Sequence, residues 1–191
     1  MKYHIAFILG LLITIVTGCR DNNDDTKENY EDLGLKAELE IREFDSTQIT
    51  NGYSEEGLGG VSNTFNEEEE LAFYATLTNE SLETYTVKWP WCDFYKVEVY
   101  DKDNKLVFHS FYRDVVCLAV EKVRVVYTEE SINGIISWDQ TVYATLDEKL
   151  TAGEYTVVSY IDVYIEKSNG EGFDVRLDMP EKKLTILADP L

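Results

Sequence analysis

The feature that most constrains the fold is a strict alternation of apolar and charged residues at Leu35-Lys36-Ala37-Glu38-Leu39-Glu40-Ile41-Arg42. Successive side chains of a strand point to opposite faces, so this pattern predicts a strand with one buried and one wet face. Strand-like runs recur at Leu71–Thr78, Tyr85–Trp89, Phe94–Tyr100, Leu106–Phe111 and Val115–Tyr127. Ile132–Leu146 with an internal turn, Glu154–Ile165 and a last run near Lys183–Leu187 complete the set. Turn-forming groups such as Asn79-Glu80-Ser81 and Asp101-Lys102-Asp103-Asn104 separate them. No stretch sustains a period of 3.6, so helices are expected to be minor. With 13 Tyr, 8 Phe and 3 Trp, residues that suit a pleated, half-buried surface, the pattern predicts an all-β, antiparallel β-sandwich. Residues 45–66, rich in Gly, Ser and Asn, read as a long connection between strands.

A different pattern precedes the strands. Lys2 is followed by the apolar run Ile5–Val16 and by Val16-Thr17-Gly18-Cys19. A basic start, an apolar middle and small residues at the cut are the parts of a secretion signal. The final tetrad resembles the lipobox of bacterial lipoproteins, which implies removal of residues 1–18 and lipidation of Cys19. A membrane-spanning helix needs roughly 20 apolar residues, and this run is shorter. Residues 19–34 then read as the lipidated cysteine and an acidic tether, and residues 35–191 as the sandwich domain. Acidic residues just after the cysteine also resemble lipoprotein surface-export signals. The expected location is the bacterial cell envelope, lipid-anchored, at the outer membrane or cell surface.

Charge narrows the partners. A net charge of −20 repels phosphate backbones and anionic headgroups, so nucleic acid is not an expected partner, and contact with the membrane is expected through the lipid on Cys19 alone. Cys92 and Cys117 remain after cleavage. In an oxidising compartment they are expected to form a disulfide, worth about 3 kcal/mol if unstrained, with two separate buried thiols as the alternative. No cofactor is implied, and no ligand-spaced cluster around either cysteine suggests a metal.

Among chemical groups, His109 is the sole histidine after the cut, and it sits in the alternating Val107-Phe108-His109-Ser110-Phe111, where a strand-face role is the ordinary one. No nucleophile-elbow, phosphate-loop or dinucleotide motif occurs, so the chain reads as a non-enzyme. Asp101–Asn104 reads as a hairpin turn rather than a calcium loop, and Glu67–Glu70 as a solvated strand entrance. Trp89-Pro90-Trp91-Cys92 has two readings: Trp89 ending a strand in the core, or Trp89 and Trp91 forming an aromatic platform for a glycan or peptide. Asn79-Glu80-Ser81 matches an N-glycosylation sequon but reads as a turn, and Asp45-Ser46-Thr47 resembles a short bacterial O-glycosylation motif.

Four local patterns in the middle of the chain occur in a familiar order. They are Leu71–Thr78 with Asn79 and Thr84–Val87; Cys92-Asp93-Phe94 through Asp101 to Leu106-Val107-Phe108; Trp138; and Leu150-Thr151-Ala152-Gly153-Glu154-Tyr155-Thr156-Val157. Together, over about residues 71–157, they resemble the BsuPI family of intracellular proteinase inhibitors, small immunoglobulin-like sandwich domains. Thr151 stands where that family usually has proline. The resemblance implies an immunoglobulin-like fold and a protein partner, with inhibition of a proteinase as its most specific form. A carbohydrate-binding accessory lipoprotein and a structural spacer of an envelope assembly are the alternatives.

Overall fold

The computed structural model describes residues 33–50, 54–89, 93–110, 121–143, 145 and 148–189. Cys19, Trp91, Cys92 and Cys117 lie outside them, and with them the expected lipid site, disulfide and half of the tryptophan pair. The described strands, in chain order, are β1 (Leu35–Phe44), β2 (Leu58–Val61), β3 (Thr64–Asn66), β4 (Leu71–Asn79), β5 (Tyr85–Trp89), β6 (Tyr95–Tyr100), β7 (Leu106–His109), β8 (Lys122–Val126), β9 (Ser131–Trp138), β10 (Gly153–Lys167) and β11 (Gly172–Leu187). They build an all-β sandwich of two packed sheets. The smaller sheet has the order β2-β1-β4-β9; the larger runs β3-β11-β10-β5-β8, with β6 also on β10 and β7 on β6.

The opening alternation becomes β1, which pairs antiparallel with β4 from Leu35↔Asn79 to Glu43↔Leu71 without a shift. Leu39 and Ile41 face inward and are buried, while Lys36, Glu38 and Glu40 stay wet. Burying one face of each sheet is the main stabilising term for such a fold. The centre of the core is aromatic: Phe73 of β4 and Trp138 of β9 meet Phe108 of β7, with Trp138 and Phe108 stacked at 4.5 Å between centroids. Tyr95 is fully buried and its hydroxyl donates to the Phe73 carbonyl across the sandwich at 2.6 Å.

The patterns that resemble the inhibitor family form the β4–β5 connection, the β6–β7 hairpin, Trp138 and the entry to β10. At that entry Tyr155 donates its hydroxyl to the Thr151 carbonyl at 2.7 Å, an arrangement similar to the tyrosine corner of immunoglobulin-like sandwiches. The segment 71–157 does not close the sandwich alone, because β1 adds a strand to the smaller sheet and β11 one to the larger.

Three elements differ from the sequence expectation. The stretch Ile132–Leu146 keeps a strand only over Ser131–Trp138, with an isolated bridge between Thr141 and Lys149 beyond it. The connection 45–66 carries 3₁₀ turns at Ser46–Gln48 and Ser54–Gly57 and the short strands β2 and β3. Its Phe65 is buried where β3 runs parallel to β11. The last strand is 16 residues long, not a short run near Lys183–Leu187. Between Val157↔Lys182 and Ser159↔Met179 the register slips by one extra residue on β11. Pro180 lies in that bulge, where its missing N–H leaves no ladder bond unmade.

Candidate functional site

β10 organises the larger sheet. Along one edge it pairs with β11; along the other it meets two shorter strands end to end, β6 over Thr156–Ile161 and β5 over Tyr164–Lys167. The sheet therefore forks at Asp162 and Val163, and the Asp162 N–H donates to the Phe94 carbonyl at the base of the fork. Above it, on the outer face, opens a groove of about 690 Å³. β5 contributes Lys88 and Trp89, the approach to β6 contributes Asp93 and β6 itself Lys96, and β10 contributes Tyr160, Asp162 and Tyr164. His109, Glu121 and Asp174 complete the rim.

The outer-face positions follow from strand parity. Tyr155, Val157, Ser159, Ile161, Val163 and Ile165 are buried, so Tyr160, Asp162 and Tyr164 must face outward. Tyr160 lies opposite Lys96, and Tyr164 opposite Lys88. Arg176 sits 3.7 Å from the Tyr160 ring centroid and donates to Asp178 at 3.0 Å. Lys88 bonds Glu166 at 2.7 Å and lies 5.6 Å from the Tyr164 ring centroid. Tyr164 itself crosses Gly172 so closely that a Cβ there would come within 2.6 Å of its Cζ.

Lys96 is half-buried. Burial pushes its pKa down, and the carboxylates of Asp93 and Asp162 work against that shift. Burial also pushes the Tyr160 phenol up, with Arg176 opposing. Beside the groove, Glu98 joins two neighbours: Tyr100 donates its hydroxyl at 2.6 Å, and His109 Nε2 lies 3.1 Å away. The hydrogen bond to Glu98, then burial, raise the Tyr100 phenol from 10.0 to about 12. A raised phenol pKa stabilises the fold below pH 10, and that contribution is lost as pH climbs through about 12. Tyr100→Phe is expected to flatten the fall in stability over that window, measured as urea midpoints at stepped pH. An unchanged slope would assign the alkaline loss elsewhere.

The residues singled out in the sequence fall in several places. His109 stands on the outer face of β7, held by Glu98, while Ser110 is buried and its Oγ accepts from the Val97 N–H at 3.0 Å. These two neighbours therefore point apart and do not form a nucleophile–base pair. Trp89 is only 8% exposed and meets Phe94 edge-on at 5.8 Å, so it ends β5 in the core. Asp101 turns the β6–β7 hairpin, its Oδ1 accepting from the N–H groups of Asp103 and Lys105 at 2.9 Å each. Among the described residues no three His, Cys, Asp or Glu side chains converge as metal ligands would.

Asn79 is fully buried, which suits a turn and leaves no access for a glycan. Asp45 caps an exposed 3₁₀ turn through Thr47. The Glu67–Glu70 run is more engaged than a solvated entrance. Glu67 accepts from the Ala152 N–H, Glu69 from the Asn66 N–H, and Glu70 from the Ser46 N–H.

Sequence reasoning did not single out Lys88, Lys96, Tyr160 and Tyr164. The available signal was their position: two tyrosines and two lysines at the wet phase of strands whose buried phase was evident. Their convergence depends on the fork, which no local pattern encodes.

No family model matches the chain, and no curated protein matches it. Several solved structures share its outline at low identity. The ApaA protein of Bordetella pertussis is 12% identical, with 80% of this chain and 93% of that one aligned at a TM-score of 0.42. The CARDB domain of the PF1109 protein of Pyrococcus furiosus, solved with di-metal ions, is 10% identical over 82% and 97% of the chains, at 0.36. A β-glucuronidase of Bacteroides uniformis is 12% identical and aligns over 74% of this chain but 13% of its own, at 0.31. The sandwich is assigned from this chain's own two sheets.

Proposed function

We propose that the chain is a lipid-anchored binding module of the bacterial cell envelope, tethered through Cys19 and recognising a protein partner through the fork groove. The groove carries the reading. It gathers lysine ammonium groups, carboxylates and two tyrosines on one face, and holds Lys96 half out of water at a cost in solvation that a plain spacer has no need to bear. Mixed charge beside aromatic rings suits the polar and aromatic side chains of another protein. Inhibition of a proteinase is the specific form that the BsuPI-like motifs support. A glycan platform has less support, because Trp89 is packed inside and Arg176 already lies on the Tyr160 ring.

The anchor and the groove are tested separately. In a bacterial host fed labelled palmitate, the chain is expected to take up label and fractionate with membranes, and Cys19→Ala to lose both. Membrane retention without label would overturn the anchor. A photo-crosslinking residue at position 160 is expected to capture a polypeptide in intact envelopes, where one at the outward Thr76 of the smaller sheet captures none. Equal capture from both positions, or none from position 160, would remove the groove as the recognition surface. Assay against a proteinase panel then decides whether the partner is inhibited.

A further inference from the structure

Among the described strands, β8 is the last of the larger sheet on the β5 side. It pairs with β5 from Tyr85↔Val126 to Trp89↔Lys122, and no other described strand pairs with it. Its surface has an ordered composition. Val123 lies opposite Lys88 and Val125 opposite Thr86, both outer-face positions, so the two valines form an apolar stripe on that face. They are 56% and 44% exposed, and Tyr127, 57% exposed, follows at the strand end. Arg124 lies opposite the fully buried Val87, yet it is exposed, whereas Val126 in the same phase of the strand is buried. Its guanidinium makes no hydrogen bond or ion pair with a described residue.

An edge strand presents backbone N–H and C=O groups that another strand can pair with, and proteins ordinarily blunt such edges with proline, a bulge or charge. Lys122–Val126 contains no proline, and its register with β5 runs without a shift. Charge is the remaining device, and it discriminates between occupants. Full antiparallel overlap with a second copy would set Arg124 against Arg124, and like charges directly opposite are destabilising. A carboxylate at that position would instead be attracted. Repulsion from the distant acidic surface is screened beyond about 8 Å at physiological ionic strength.

We propose that the β8 edge takes up an extended segment of a partner protein by strand addition, with apolar side chains continuing the Val123–Val125 stripe and a carboxylate opposite Arg124. Main-chain pairing supplies the attachment, and the alternating side chains supply the selection. The Val123–Val125 stripe adjoins the fork groove, since Val123 lies opposite Lys88, but strand addition uses the backbone edge of β8 and stands whether or not the groove binds a partner.

The probes are two nine-residue peptides of alternating threonine and valine, one with a central glutamate and one with a central lysine. They are tested on the full-length chain in mild detergent. The glutamate peptide is expected to bind about five- to tenfold tighter and to slow amide exchange at residues 122–126. Arg124→Glu should reverse the preference, and Arg124→Gln should abolish it; both substitutions lie at an exposed position. Protection at another edge, equal binding of the two peptides by the native chain, or no binding would overturn the proposal. So would sedimentation of the native chain as a dimer with residues 122–126 protected.

Discussion

Trp138→Ala is expected to lower the unfolding free energy by about 4 kcal/mol, read from urea denaturation at neutral pH. The indole is almost fully buried at the end of β9, 4.5 Å from the Phe108 ring and 5.9 Å from Phe73 between centroids. Phe73 and Trp138 belong to the smaller sheet and Phe108 to the larger, so this stack is where the two layers grip one another. Its Nε1–H also donates to the Thr141 carbonyl at 3.0 Å, fixing the irregular chain that follows β9. Truncation removes the stack, opens a cavity that strands on both sides are too constrained to fill, and leaves that carbonyl without its partner. For a domain of ordinary stability, roughly 5–15 kcal/mol, the loss is a large fraction of the total. Trp138→Phe, which keeps most of the ring contact, should cost less than half as much. A loss below about 2 kcal/mol for the alanine variant would mean that the stack is not where the sheets are joined.

Asn79→Ala is the second large effect, about 3 kcal/mol. The side chain is fully enclosed and satisfied on both ends: its amide donates to the carbonyls of Glu83 at 2.7 Å and Val126 at 3.1 Å. Its Oδ1 accepts from the Ser81 N–H at 3.0 Å and from the Ser81 hydroxyl at 2.7 Å. The backbone of the same residue bonds Glu129 and Glu130. One residue thus ties the β4–β5 connection to the end of β8 and to the turn into β9. Alanine removes both donations, the one to the Val126 carbonyl being buried, and takes the acceptor from Ser81; a buried hydrogen bond lost on one side is the costly kind. Asn79→Asp is informative because it keeps size and acceptor but loses both donations and sets a carboxylate against two carbonyls. It should be at least as damaging. If aspartate were tolerated while alanine were not, shape rather than hydrogen bonding would be the cause.

Legibility in the sequence tracked the regularity of burial. β6 and β10 carry an unbroken period of two, and β1 and β4 one that breaks only at an end, where Phe44 and Ala72 are buried out of phase, so one buried face was evident from the residues alone. Only the end of β11 near Lys183–Leu187 showed itself, because the bulge reverses the phase: Val175 and Met179 are buried before it, Leu184 and Ile186 after it. Odd positions face inward in one half and even positions in the other, so no single alternation spans the strand. β2 was hidden for another reason. Leu58-Gly59-Gly60-Val61 has little intrinsic preference for a strand, and Gly59 lies so close to β1 that a Cβ would come within 2.8 Å of the Glu43 Cβ. The acidic run at Glu67–Glu70 looked solvated because the backbone donors it serves, at Ser46 and Ala152, are far away in sequence.

What the residues determine by themselves is therefore local: which positions face water or core along each regular strand, where the turns fall, and an all-β sandwich as the way to bury those faces. Only the tertiary structure decided that β10 meets β5 and β6 end to end, that Lys88, Lys96, Tyr160 and Tyr164 converge there, and that β8 stands last among the described strands on its side of the larger sheet. The reason is physical. Facing is set by neighbours two residues apart, whereas the fork depends on pairings across 56 to 82 residues and the place of β8 on pairings across 33 to 41, chosen by how whole strands share one core.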